Sequence, residues 1–321
     1  PEDLDFPTVN YMNIEKKDSS WRAFQLAFIL INIEGISNSK SSDRDIVDLI
    51  WIPTGGGKTE AYLGLTGFTI FLRRLIDPVN GGGTAIIMRY TLRLAAQQFV
   101  RASILICACE KIRRECKEFN LGKDEISIGL WVGGTPTPNS NKEAKKIFKL
   151  LTSTPKSSQE LEINKRNYNK FQVLKCPWCG TKLEKEYVDG KLKGGWGYDY
   201  DKKKIIFCPD IRCDFNRKLP IQIVDEEIYK NPPTLLFGTV DKFAALPWEG
   251  DVSKLFALNK NNNRKQPELI IQDELHLISG PLGSMVGLYE TAIDAMCSNI
   301  CSENSIRPKI IASTATIKRA S

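Results

Sequence analysis

The sequence predicts an α/β protein: a doubly wound parallel sheet interrupted by a small cysteine-bearing insertion. Three observations predict it. Short apolar runs alternate with longer amphipathic stretches, the pattern of strands joined by crossover helices on both faces of a sheet. A glycine-rich turn joins the first run to the first long helix after it. A basic stretch then breaks the alternation between residues 135 and 233.

Ile46 to Ile52 reads as a buried strand, because it is apolar apart from Asp48 and ends in a glycine-rich turn. Glu60 to Ile76 reads as a helix, stopped by Asp77-Pro78 and Gly81-Gly82-Gly83. Ala85 to Met88 is a second strand. Leu92 to Glu118 is a long helix with Ala95, Phe99, Ala102, Ile106, Cys109, Ile112 and Cys116 along one face. Ile126 to Val132 is a third strand, closed by Gly133-Gly134. Thr135 to Lys175 is rich in Thr, Pro, Asn, Ser and Lys and reads as a loop or helical excursion. Further strands follow at Thr234–Gly238, Leu269–Gln272 and Lys309–Ser313. The expected organisation is a first part over 1–134, an insertion over 135–233 and a second part over 234–321.

Composition narrows the function. With 42% hydrophobic residues the chain can fold, and nine cysteines in 321 residues are too sparse for a disulfide miniprotein. His276 is the single histidine, so no site needing two can form within the chain. The longest apolar run falls far short of the ~20 residues that span a bilayer, and no signal peptide is visible, so a cytoplasmic protein without membrane contact is expected. The start at Pro1 suggests a piece of something longer. The net charge is +7, and the insertion holds the surplus, with 20 basic against 13 acidic residues over 135–234. That excess favours a polyanion such as nucleic acid, or simply keeps the segment solvated.

Thr54-Gly55-Gly56-Gly57-Lys58-Thr59 lies between a strand and a helix. Glycines let consecutive N–H groups face a phosphate, and the helix start adds its dipole. Lys58 would reach the β- and γ-phosphates and the Thr59 hydroxyl would ligate Mg²⁺. Asp273-Glu274-Leu275-His276 follows an apolar strand, so Asp273 would emerge where doubly wound sheets bind ligands. Asp273 is the candidate magnesium holder and Glu274 the candidate general base; His276 is read as a coupling residue.

Cys176-x₂-Cys179 and Cys208-x₄-Cys213 are 28 residues apart. Four thiolates in two such pairs suit a closed structural Zn²⁺ site, and the spent histidine leaves Cys₄ as the donor set. Trp178, Trp196, Tyr198, Tyr200 and Phe207 interleave with lysines there. Stacking on bases and packing as the module's own core are both open, core being the reading favoured for most of the rings.

Together these motifs resemble the first RecA-like domain of a superfamily-2 DExH helicase. Pro53–Thr59 resembles motif I, with Ile52 where the strict phosphate-loop pattern has glycine, and Asp273–His276 resembles motif II. Ser313-Thr314-Ala315-Thr316 resembles motif III, with Thr314 and Thr316 as coupling residues. Phe24-Gln25 resembles the adenine-reading Q motif, which implies that Gln25 pairs with the adenine edge and Arg22 stacks on it. Tyr90–Leu94 resembles motif Ia, Gly133-Gly134 the GG element, and Gly238–Lys242 motif Ib, with Val240 replacing the usual proline. The resemblance implies nucleic-acid contacts at Thr91, Arg93, Gly133, Gly134, Thr239 and Lys242. A narrower likeness, over Trp51–Gly64 and Gln272–Gly283, is to the DrmA helicases of DISARM anti-phage systems. It implies an ATP- and Mg²⁺-using, DNA-directed ATPase with a DrmB-like partner. Superfamily-2 hydrolysis takes arginines from a second RecA-like domain, so this chain alone is expected to turn over ATP poorly. The competing reading is a nucleotide-gated scaffold that binds nucleic acid or a partner without unwinding.

Overall fold

The computed structural model describes residues 20–53, 56–90, 92–133, 136–155, 157–243, 250–258, 264–278, 283–298 and 306–314. Helix α1 (Ala23–Ser37) leads through a 3₁₀ turn to strand β1 (Asp48–Trp51). Helix α2 (Lys58–Ile76), β2 (Ile86–Tyr90), α3 (Leu92–Glu115) and β3 (Ile128–Trp131) follow in strict alternation. The insertion contributes α4 (Asn141–Leu151), α5 (Ser158–Tyr168) and two small hairpins, β4–β5 (Glu186–Val188 with Lys191–Lys193) and β6–β7 (Tyr198–Asp199 with Ile205–Ile206). After β8 (Ile221–Gln222) and α6 (Asp225–Lys230) come β9 (Leu235–Thr239) and α7 (Val240–Phe243). The last elements are β10 (Leu269–Gln272), α8 (Gly283–Ser298) and β11 (Lys309–Thr314).

Seven strands form one parallel sheet in the order β1-β11-β10-β2-β9-β3-β8. This is the doubly wound, RecA-like α/β architecture the sequence predicts. The two faces follow the strand period of two. Ile86, Met88, Tyr90, Leu235 and Phe237 pack with α2 and α3, while Ile87, Leu236 and Ile270 pack with Ile293 and Cys297 of α8. The central strands are buried along their whole length, as a parallel sheet covered on both sides requires.

One expectation differs from the structure and one is narrowed by it. The sheet does not wait for Thr234: β8, inside the segment expected to be insertion, already pairs with β3. At two residues it has no periodicity to read. The stretch after residue 135, expected as a loop or helical excursion, holds two helices, each opened by a serine whose hydroxyl accepts the third helical N–H, from Glu143 in α4 and Glu160 in α5.

The cysteine module is welded to the α3 face rather than tethered. Phe171, Tyr198, Tyr200, Phe215 and Leu219 share one continuous core with Phe99, Ala102 and Ile106. Arg114 lies 4.6 Å over the Phe215 ring, Lys111 lies 5.7 Å over Trp178, and Lys111 pairs with Asp214 at 2.9 Å. Phe171 stacks on Tyr200 at 4.8 Å. Tyr198 and Tyr200 are therefore core, whereas Trp178, Trp196 and Phe207 are half-buried.

Candidate functional site

The carboxyl ends of β1, β11 and β10 lie side by side, because these strands are neighbours in the sheet. Each delivers one part of the candidate site. From β1 the chain turns through Gly56 and Gly57 into α2. Gly57 caps the helix at φ 93°, a left-handed conformation that favours glycine. A Cβ on Gly56 would come within 2.5 Å of Ile52 Cγ2. The turn is thus bare backbone ending on a helix start, which suits an anion.

Lys58, the first residue of α2, is buried, and its Nζ has no hydrogen-bond partner. It stands 3.8 Å from Glu274 Oε1, which follows β10. A buried ammonium with no hydrogen bond is costly, and it marks where an anionic ligand would fit. Glu274 takes a left-handed φ of 50°, rare for a residue with a side chain, so the turn after β10 is strained at this carboxylate. Its Oε2 lies 3.3 Å from His276 Nδ1, and that nitrogen lies 2.9 Å from the Thr314 hydroxyl of β11. Asp273 Oδ1 accepts the Glu274 N–H at 3.0 Å and a short bond from the Ser313 hydroxyl. Motifs I, II and III therefore meet through side chains.

Two tyrosines lie beside this cluster, Tyr90 from the stretch that resembles motif Ia and Tyr62, which no sequence motif singles out. The Tyr62 hydroxyl is 3.4 Å from Thr59 Oγ1. Burial, then the nearby Asp273 charge, pushes the Tyr62 phenol up, and burial pushes Tyr90 up beside it. Both hydroxyls thus stay protonated donors near the candidate magnesium ligands Thr59 and Asp273. Tyr62 falls three residues after Thr59 on α2, a spacing that could have flagged it.

Gln25 and Arg22 do reach the phosphate loop. Gln25 accepts the Arg22 backbone N–H at 2.8 Å and donates to the Gly57 carbonyl at 2.7 Å; Arg22 Nη1 donates to the Gly56 carbonyl at 2.7 Å. Both polar atoms of the Gln25 amide are thus used within the protein.

On the expected strand-binding side, Thr239 ends β9 and is buried. Lys242 forms an ion pair with Asp225 and lies 5.8 Å over the Trp131 ring. Gly133 follows β3 and Arg93 lies at the start of α3. Thr54, Gly55, Thr91, Gly134 and Thr316 lie outside the described residues.

The four cysteines converge. Their sulfurs all lie within 4.8 Å of one another, with Cys179–Cys208 at 3.5 Å and Cys176–Cys213 at 3.9 Å. Four sulfurs held 2.3 Å from one tetrahedral ion are about 3.8 Å apart, close to the separation of both of these pairs. The Phe215 N–H points at Cys213 Sγ at 3.5 Å. A hydrogen bond from Cys176 draws the Cys208 thiol down to about 6, and burial pushes Cys213 up to about 12. A metal ion in this set would be held by all four sulfurs as thiolates, releasing their protons.

Comparison with known proteins agrees with this geometry. DISARM protein DrmA of Bacillus paralicheniformis is 41% identical to this chain over an alignment covering 96% of it. The chain is similar to DISARM protein DrmA over nearly all of its own length. It spans about 30% of that relative's length. No protein-family model matches the chain. The yeast DEAD-box splicing factor Prp28 shares 14% identity at a TM-score of 0.42, covering 91% of this chain and 40% of that one, a likeness too slight to carry an argument. The described residues thus form a RecA-like α/β domain with a cysteine cluster able to hold a metal. No helix among the described residues is long and apolar enough to cross a membrane.

Proposed function

We propose that the chain is the ATP-binding half of a nucleic-acid-driven motor, directed to DNA and working in anti-phage defence beside a DrmB-like protein. The single observation that carries the ATPase part is the Lys58–Glu274 juxtaposition at 3.8 Å. It puts an unsatisfied buried cation and a carboxylate from different strands at one point. Defence and the DrmB-like partner rest on the likeness to DrmA alone.

The residues divide the work. Gly55, Gly56 and Gly57 offer backbone N–H groups to the phosphates, and Lys58 Nζ exchanges its present neighbour for γ-phosphate oxygens. Magnesium, when bound, neutralises developing charge; Thr59 and Asp273 would hold it, with Tyr62 and Ser313 fixing those two ligands. Glu274 orients the attacking water and accepts its proton at the carboxylate. His276 passes the state of Glu274 to Thr314 and so to β11. Arg22 and Gln25, already on the loop carbonyls, hold it from the adenine side. By the likeness to helicase motifs alone, Thr91, Arg93, Gly133, Gly134, Thr239 and Lys242 would contact the loaded strand. Zinc would sit in the Cys176–Cys179–Cys208–Cys213 set as a structural staple.

The test is ATPase of the full-length protein with and without single-stranded DNA, alongside Lys58→Ala and Glu274→Gln. Stimulated turnover lost in both variants is expected. Biological activity that survives Glu274→Gln would favour the scaffold reading instead.

A further inference from the structure

Helix α4 is amphipathic in an unusual way. Asn141, Ala144, Ile147 and Leu151 turn inward, while Lys142, Lys145, Lys146 and Lys149 are exposed. Lys145 pairs with Asp201 at 2.8 Å. Among the described residues, Lys142, Lys146 and Lys149 enter no ion pair, unlike Lys165, Lys170, Lys182 and Lys218 of the same insertion. The one acid on the helix, Glu143, is committed to the Asn139 N–H at 3.0 Å and to Lys170 at 3.4 Å.

The helix is also anchored at an informative place. The Asn141 N–H donates to Glu226 at 2.8 Å, and its side chain donates to Glu227 at 2.7 Å. These acids begin α6, and the residue just before them, Asp225, pairs with Lys242 at the β9–α7 corner. The start of α4 therefore lies beside the loop assigned to the nucleic-acid strand. The carboxylates nearest that junction are already used on Asn141 and Lys242, and the backbone N–H of Asn141 holds Glu226 below the usual carboxylate range. From Lys142 to Lys149 is seven residues, a rise of about 10 Å, comparable with three phosphates along one strand.

We propose that Lys142, Lys146 and Lys149 continue the nucleic-acid path beyond the RecA-like core, gripping the phosphate backbone of the strand that passes Lys242. This rests on the motor reading above and names an additional contact surface for it. Lysines are sequence-tolerant point charges, as a motor that moves along any sequence requires. A protein partner would need an apolar centre to its docking surface. The apolar residues of α4 other than Leu150 and the half-buried Phe148 are buried in the fold.

The experiment measures single-stranded oligonucleotide affinity of the full-length protein against salt concentration. It compares wild type with Lys142→Gln/Lys146→Gln/Lys149→Gln and with a matched control, Lys191→Gln/Lys193→Gln/Lys202→Gln, on exposed hairpin and turn positions. Each lost phosphate contact lowers the logarithmic salt slope by about 0.7, so the α4 triple variant should lose roughly 2 and bind on the order of a hundredfold more weakly at 0.1 M salt. The control should keep the wild-type slope, and all three proteins should bind ATP alike. Wild-type affinity and slope in the α4 variant would overturn the proposal, as would an equal loss in the control. A wild-type protein that binds ATP but no strand at any salt would overturn the motor reading itself, and the α4 path with it.

Discussion

Lys58→Met separates the cost of the candidate site from its use. In the nucleotide-free protein, two terms on Lys58 oppose each other. Its ammonium is buried without a hydrogen bond, an unfavourable term of several kcal/mol. Its attraction to Glu274 across 3.8 Å is worth about 4 kcal/mol at an effective dielectric constant near 20. Methionine removes both terms but leaves the Glu274 carboxylate buried without its cation, so nucleotide-free stability should fall by about 3 kcal/mol. Unfolding entropy of roughly 2.1 cal/mol/K per residue gives about 0.7 kcal/mol/K for 321 residues. Without nucleotide the variant should therefore melt about 4 °C below wild type. Ligand at a hundred times its Kd adds about 2.7 kcal/mol. Saturating Mg-ATP should thus raise the wild-type Tm by about 4 °C and leave the variant unmoved. Thermal unfolding with and without Mg-ATP reads both outcomes. A Met variant that keeps the 4 °C shift refutes the placement of the phosphates on Lys58.

Three further perturbations probe neighbouring parts. Tyr62→Phe removes only the hydroxyl 3.4 Å from Thr59, so half-maximal ATPase in the full-length protein should need several times more Mg²⁺, while metal-free ATP affinity stays put; superimposable magnesium titrations would show that the hydroxyl is idle. Cys208→Ser should drop bound zinc from one equivalent to none and lower the Tm, as measured by metal analysis and calorimetry; a protein purified without metal, melting as its variant does, would count against the Cys₄ site. Arg73→Met strips the donors from the carbonyls of Gly81, Gly82, Lys265 and Gln266, at least about 3 kcal/mol at 1–3 kcal/mol for each buried orphan, which is 4 °C or more in Tm. An unchanged Tm would mean that water replaces the guanidinium at all four.

The sheet and the nucleotide motifs were legible because each signal is local. A strand-end turn of three glycines before Lys58, and an Asp-Glu pair after Leu269–Gln272, carry their meaning in a few consecutive residues. What the sequence hid depends on partners far along the chain. Strand β8 is two residues long and takes its identity from pairing with β3 ninety-odd positions earlier. The polar composition of α4 and α5 leaves loop and helix both open, although Ser140 with Glu143 and Ser157 with Glu160 are capping signatures that composition alone conceals. Gln25 could be matched to an adenine-reading motif, but its bond to the Gly57 carbonyl could not be read from position 25 alone.

The cysteine cluster and the strand side of the core belong to one mechanical problem. Cys107, Lys111 and Arg114 recur on one face of α3, and that face carries the cysteine module through Trp178, Asp214 and Phe215. The other end of α3 begins next to Thr91 and Arg93, the residues expected at the loaded strand. A continuous helix of 24 residues is about 36 Å long and transmits displacement along its axis with little loss. Loosening the four sulfurs would therefore disturb the aromatic packing on Lys111 and Arg114 first, and the seating of α3 on the sheet next. On that argument, metal removal should weaken strand binding before it weakens nucleotide binding, because α2 and the phosphate loop are seated by Arg73, Gln25 and Arg22 rather than by the module.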